Sequence, residues 1–163
     1  MENLNRRDLC IALASLATFA AAAQSQTSEH GLPEVMAVPP PPGSAGDPAL
    51  DKQRAFPFSA LPVVKTANGE TRAVTRGVLP TGEAVELHET TLLPGHLPHP
   101  PHKHRHSEFM LIREGTVQFD NNGTPELLGP GGVALAASNV MHGLKNVGET
   151  NANYFVIAIG RET

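Results

Sequence analysis

The sequence predicts an all-β protein, because it is rich in turn-forming residues and its apolar residues fall in short runs. The 163 residues include 15 Gly and 15 Pro, and residues that interrupt helices at this frequency favour short strands joined by turns. From Val63 onward, brief apolar or alternating runs are separated by Gly, Pro and Asn. No stretch has the periodicity of an amphipathic helix. These observations predict a β-sandwich or β-barrel.

The predicted strands are short segments bounded by turn residues. They are Arg72–Leu79, Ala84–Leu93, Glu108–Arg113, Thr116–Asp120, Leu127–Leu128, Val133–Ala137, Val140–Val147 and Asn153–Ile159. Asn122-Gly123 separates two of them, and an Asn-Gly pair predicts a tight hairpin because both residues tolerate positive φ.

The N-terminus resembles an export signal. Arg6 and Arg7 precede an apolar run, Leu9–Ala23, that is too short to span a bilayer comfortably and ends in small residues. The adjacent arginines resemble the twin-arginine class of bacterial signals, and the alternatives are a Sec signal or an uncleaved anchor. We expect residues 1–23 to be a signal peptide, the mature protein to be periplasmic or secreted, and no membrane span to remain after cleavage.

Charge and cysteine content exclude several classes of function. The only cysteine, Cys10, lies in the predicted signal, so the mature chain has neither disulfides nor thiolate chemistry. The formal net charge is −4, which excludes the basic surface expected of a nucleic-acid-binding protein.

Residues 24–62 are predicted to be a Pro-rich linker or arm. Prolines 39–42 favour an extended polyproline conformation, and the following Gly-Ser-Ala-Gly stretch is flexible. We expect 24–50 to be a tether. Residues 51–64, which contain Phe56 and Phe58, are equally consistent with a tether and with contact to the body or a neighbouring subunit.

Histidines are concentrated in one window. Five of the eight fall between His96 and His106. On an extended strand His102 and His104 project to the same face, and Glu108 has the same parity. Such groups can hold a divalent ion, and the only histidine after the cluster that could add a ligand is His142.

These residues resemble the two motifs of the cupin family of small jelly-roll β-barrels. The first motif, G-x5-H-x-H-x3,4-E-x6-G, is similar to His102-x-His104-x3-Glu108-x6-Gly115. The second, G-x5-P-x-G-x2-H-x3-N, is similar to His142-x3-Asn146 with Gly132 upstream. The sequence departs from the motifs at three points. Gly95 lies one residue too far from His102, Ser138 and Val140 replace Pro and Gly, and Gly132 lies one residue too close to His142.

The resemblance implies a single cupin jelly-roll barrel over residues 63–163, with its motifs in 95–146, and a homodimer. It also implies one divalent transition metal (Mn, Fe, Ni, Co, Cu or Zn). The implied ligands are His102, His104, Glu108 and His142.

Strand parity suggests which residues surround this site. If the even face of the barrel is the interior, Met110, Ile112 and Leu144 line an apolar pocket with His106 nearby. Glu86 and His88 share a face of the preceding strand and could supply acid/base groups, or equally form an exposed polar face. His96, His99 and His106 are interpreted as solvated residues or as groups that orient the ligands.

Two functions are consistent with such a site. One is a metal-dependent enzyme, oxygenase- or isomerase-like, that acts on a small oxygenated organic substrate. The other is a non-catalytic protein that binds or stores a metal, a sugar or a small organic acid. A metal of purely structural role is a third, weaker hypothesis.

Overall fold

The computed structural model describes residues 36, 42–43 and 46–161. The predicted signal peptide, residues 1–23, lies outside these residues. In the described part of the chain the secondary structure consists of strands and one 3-10 turn, Phe58–Ala60. The all-β prediction is therefore confirmed. None of the helical structure described here has the length and hydropathy needed to cross a membrane.

The described residues form nine strands in chain order. They are β1 (Val63–Thr66), β2 (Gly69–Val78), β3 (Ala84–Leu92), β4 (Ser107–Glu114), β5 (Val117–Asn121), β6 (Thr124–Leu128), β7 (Val133–Ala136), β8 (His142–Asn146) and β9 (Ala152–Ile159).

The strands are arranged in two antiparallel sheets. Six of them pair in the order β1-β2-β3-β9-β4-β7, and the other three in the order β6-β5-β8. The predicted hairpin joins β5 to β6, where Asn122 and Gly123 have φ values of 51° and 88°. One hydrophobic core contains buried side chains from both sheets, including Met110, Phe119 and Leu144. The inner faces of the two sheets therefore pack together and leave a cavity beside the core.

Position 115, the last of the first motif, requires a glycine because the backbone passes very close to Ala152 there. Its φ is +79°, and a Cβ atom at this position would lie 2.7 Å from the Cα of Ala152. A larger residue would strain the turn and push β9 away from the end of β4.

The segment before the barrel differs from the predicted tether. Asp47 forms an ion pair with Arg76 at 2.6 Å, and the backbone N–H of Leu50 donates to the Val78 carbonyl oxygen at 2.8 Å. An extended, proline-rich chain has no structure of its own, but its backbone can bond the end of β2. By contrast, residues 51–60 are all exposed, and the Phe58 ring contacts the guanidinium groups of Arg72 and Arg113.

Candidate metal centre

Two of the predicted ligands are held side by side by their backbones. His102, in the loop before β4, and His142, the first residue of β8, form an isolated antiparallel bridge. Each backbone N–H donates to the other's carbonyl oxygen at 2.9 Å. The imidazole centroids are 4.8 Å apart. This bridge joins the His-rich loop to the three-stranded sheet, so histidines 40 positions apart in the sequence share one site.

His104 and Glu108 complete the cluster. The Nε2 atom of His104 is 3.3 Å from Oε1 of Glu108, and the Nε2 atom of His142 is 3.8 Å from Oε2 of Glu108. Ring nitrogens of His102, His104 and His142 all lie within 4.8 Å of one another. The four residues named by the motifs therefore converge.

Backbone carbonyls orient two of the imidazoles. The Nδ1 atom of His104 is 2.8 Å from the His106 carbonyl oxygen, and that of His142 is 3.0 Å from the Val140 carbonyl oxygen. A carbonyl partner fixes the tautomer with the proton on Nδ1 and leaves Nε2 as a lone-pair donor.

The protonation states suit metal binding. Burial, reinforced by the neighbouring histidines, lowers the pKa of His102 to about 4, and burial lowers the pKa of His142 as well. Burial alone would raise the pKa of Glu108, but the adjacent side chains of His104 and His106 outweigh it and hold this pKa well below its usual range. Neutral imidazoles and an ionised carboxylate are the forms that ligate metals.

The cluster fits a divalent transition metal. Within the described residues, the buried Nε2 atom of His142 has no hydrogen-bond partner. Burying such a nitrogen destabilises the fold unless a bound group, such as a metal ion, interacts with it. The 4.8 Å limit on the nitrogen separations is slightly above the roughly 4.2 Å between opposite ligands on one ion. A small inward movement would bring imidazoles and carboxylate to bonding distance.

His106 contacts two of the predicted ligands. Its ring stacks on that of His104 with centroids 3.6 Å apart, and its Nε2 atom is 2.9 Å from Oε1 of Glu108. His99 packs edge-on against His102. His96 bonds Asn68 and does not line the cavity in the described part of the chain.

The cluster opens into a cavity of about 700 Å³ between the sheets. Among the predicted pocket residues, His106, Met110 and Leu144 line it. Ile112 is buried in the hydrophobic core, two residues beyond Met110 along β4, and is not among the described residues that line the cavity. Parity gave the correct face for Ile112 but not its depth.

Glu86 and His88 line the same cavity as the cluster. They are 3% and 7% exposed, so they do not form the exposed polar face that the sequence left open. The Nδ1 atom of His88 is 2.8 Å from Oε2 of Glu86. The other carboxylate oxygen of Glu86 is buried without a hydrogen-bond partner among the described residues, so a bound molecule can use it.

The sheet register places this pair relative to the metal centre. Glu86 pairs with Ala158 of β9, and Ala158 pairs with Glu108 of β4. Glu86 and Glu108 therefore lie two strands apart, about 10 Å, in one row on the inner face. Only the small side chain of Ala158 lies between them in that row, which leaves room for a molecule.

Sequence reasoning missed several residues of the cavity wall. Tyr154 lines it and is the chain's only tyrosine; its even parity with Val156 and Ala158 was the available signal. Burial raises the pKa of Tyr154, so its hydroxyl keeps its proton. Met36 and Pro42 also line the cavity, and nothing in their local sequence indicates this.

Comparison with known families supports the reading of the motifs. The family model Cupin_2, described as a cupin domain, matches residues 88–158, which run from His88 in β3 to Ala158 in β9. The chain contains a cupin domain. Curated protein sequences include no match to it.

Solved structures of cupins share its fold. An RmlC-like cupin from Shewanella frigidimarina has a TM-score of 0.56 at 16% identity, covering 69% of this chain and 96% of its own. A predicted oxalate decarboxylase from Thermotoga maritima has 0.55 at 19%, covering 66% and 100%. The polyketide cyclase RemF from Streptomyces resistomycificus has 0.53 at 17%, covering 68% and 81%. At these identities the likeness establishes the fold and not the reaction.

Proposed function

We propose that this cupin is a metal-dependent enzyme that acts on a small oxygenated organic molecule bound in the cavity. The observation that carries the proposal is the buried Glu86–His88 pair, which faces the His/Glu cluster across Ala158. A protein that only stored a metal would need no second buried acid/base pair. The names of similar structures, an oxalate decarboxylase and a polyketide cyclase, are consistent with oxygen-rich substrates.

The proposed metal ligands are His102, His104, Glu108 and His142, whose nitrogen and oxygen donors fit Mn, Fe, Ni, Co, Cu or Zn. A bound ion would supply a Lewis acid or a redox centre for oxygen atoms of the substrate. An ion held by these four residues would still have room to bind oxygen atoms of the substrate. His106 holds the carboxylate of Glu108 in place through its 2.9 Å contact.

The chain's own residues would transfer and hold protons. Glu86 has one carboxylate oxygen free for a bound molecule, while His88 holds the other at 2.8 Å. Such a pair can accept a proton from a substrate carbon or hydroxyl and return it, with the imidazole stabilising the ionised carboxylate. Tyr154 keeps its hydroxyl proton and can donate a hydrogen bond.

A Glu86→Gln variant tests this proposal, since it keeps the shape of the side chain and removes the proton acceptor. The metal-loaded protein is incubated with a panel of α-keto, α-hydroxy and dicarboxylic acids, and consumption is followed by NMR. We expect turnover to fall by about 100-fold or more in Glu86→Gln, with an unchanged metal content. Glu83→Gln, on the exposed turn before β3, is the matched control and should retain full activity.

Equal turnover in the two variants would show that Glu86 is not the proton acceptor. If the metal-loaded protein binds ligands but consumes none, it is a binding or storage protein. Export stays a prediction from residues 1–23, checked by finding the mature chain in the periplasmic fraction.

We also propose that the protein forms a homodimer through the outer face of the six-stranded sheet. Phe109 and Leu111 of β4 are each 37% exposed, and they pair with Leu135 and Val133 of β7, which are 52% and 55% exposed. Contiguous apolar patches on a sheet face are uncommon on monomers. The exposed aromatic ring of Phe58 extends the same face.

Sizing chromatography tests the dimer. A Leu135→Lys variant should elute as a monomer, because a charge in the centre of an apolar interface is left unpaired. Leu127→Lys changes a side chain that is 70% exposed on β6 and should leave the elution volume unaltered. An unchanged elution volume for Leu135→Lys would contradict the proposed interface.

A further inference from the structure

Met36 is part of the cavity wall although it lies 27 positions before the first strand. It is 4% exposed and lines the cavity. Its backbone N–H donates to the Pro98 carbonyl oxygen at 2.9 Å, and the Thr66 hydroxyl donates to its sulfur at 2.8 Å. Pro98 begins the His-rich loop and Thr66 ends β1, so Met36 is fixed between two parts of the barrel.

Pro42 is a second wall residue from the same segment. Its side chain is fully buried and lines the cavity. The next residue is anchored, because the Gly43 N–H donates to Oδ2 of Asp47 at 2.8 Å and Asp47 pairs with Arg76. A Cβ atom on Gly43 would lie 2.6 Å from Cγ of Arg161. The position of Pro42 therefore depends on a tight approach to the end of the chain.

The charges around the cavity limit what it can hold. Of the described residues that line it, only Lys103 carries a permanently positive side chain, and Lys103 is exposed. Two carboxylates, Glu86 and Glu108, lie in one row on the wall formed by the six-stranded sheet. Apart from a bound metal, a dianionic ligand would meet no buried cation, so its second negative charge would be poorly neutralised.

Much of the rest of the cavity wall is apolar, and the cavity is large. Met36, Pro42, Met110, Leu144 and Val156 all line it. The cavity of about 700 Å³ is of the size that holds drug-sized ligands, and a two-carbon diacid would leave most of it empty. Apolar surface of this extent favours an apolar group on the ligand.

We infer that Met36 determines specificity, and that the preferred substrate has one oxygen-rich, metal-binding end followed by an apolar group. The inference rests on the proposed metal-dependent function, because the oxygen-rich end is placed at the His/Glu cluster. Met36 touches the apolar part of the ligand, and this residue, which precedes the barrel in the sequence, is therefore part of the binding site.

Calorimetric binding to the full mature chain loaded with Zn²⁺ tests the inference. The probes are pyruvate and phenylpyruvate, which share an α-keto acid end and differ by an apolar ring. We expect phenylpyruvate to bind at least about tenfold more tightly than pyruvate, and Met36→Ala to reduce this ratio about five- to tenfold. Met36→Leu should restore most of the ratio, and Leu127→Ala, far from the cavity, should not change it.

Each other outcome has a defined meaning. Equal affinity for the two probes, binding of neither, or an unchanged ratio in Met36→Ala overturns the inference, even if Zn²⁺ binds. Failure of the wild-type chain to bind Zn²⁺ or any of the other five proposed metals contradicts the proposed function itself. The melting temperature and zinc content of each variant separate a loss of folding or of metal from a loss of apolar contact.

Discussion

A His142→Ala variant is expected to lose the bound metal almost completely. The wild-type chain should contain about one ion per chain, since its four donors fit a single site. His142 supplies the only ligand from the three-stranded sheet, and its Nε2 atom is 3.8 Å from Glu108. Its loss should weaken binding by more than the roughly 10- to 100-fold cost of removing a partner that only orients a ligand. Elemental mass spectrometry of the purified variant measures the metal content.

His96→Ala is the control for this experiment. His96 belongs to the same His-rich window, but its Nδ1 atom is 3.2 Å from Oδ1 of Asn68 and it does not line the cavity among the described residues. This variant should keep the full metal content. Metal retained in His142→Ala, or lost equally in both variants, would mean that the window binds metal nonspecifically and would remove the proposed site.

The strands could be predicted because their signals are local. Alternation and turn residues place a strand at Ala84–Leu93, and β3 spans Ala84–Leu92. Where the signal is absent the prediction is incomplete. β6 begins at Thr124, three residues before the predicted Leu127, because its first four residues are all exposed and show no alternation. Pairing with β5 makes this segment a strand.

Only the part of the candidate site that is encoded in motif spacing could be predicted from the sequence. The motifs bring His102, His104, Glu108 and His142 together. In the structure the three imidazoles lie within 4.8 Å of one another, and the carboxylate is 3.8 Å from His142. Whether Glu86 and His88 face the cavity or the solvent depends on β9 lying between β3 and β4, which no local pattern reveals. Met36 reaches the cavity through contacts with residues 30 and 62 positions away.

Glu89, on the other face of β3, also has an environment that depends on strand pairing. Glu89 has an exposure of 0% and lies on the face opposite His88. Its carboxylate accepts hydrogen bonds from Thr91 at 3.0 Å, from Asn153, and from Arg72 at 3.1 Å. The Arg72 guanidinium in turn stacks on the ring of Phe58, 4.6 Å from its centroid. The buried carboxylate of Glu89 thus links β2, β3 and β9, and it holds the Arg72 guanidinium that contacts Phe58.

Glu89→Ala is expected to lower the free energy of unfolding by about 2–3 kcal/mol, because it leaves the buried side chain of Asn153 without its acceptor and removes one partner each from the partly buried Arg72 and Thr91. Urea denaturation measures the loss. Glu70→Ala is the control, since Glu70 also pairs with Arg72, at 2.5 Å, but its side chain is 24% exposed; it should cost less than about 1 kcal/mol. Equal costs for the two variants would contradict a special role for the buried carboxylate. Because Glu89 lies on the face opposite the cavity, Glu89→Ala protein that remains folded should still bind metal, and this separates the stability of the barrel from the chemistry of its site.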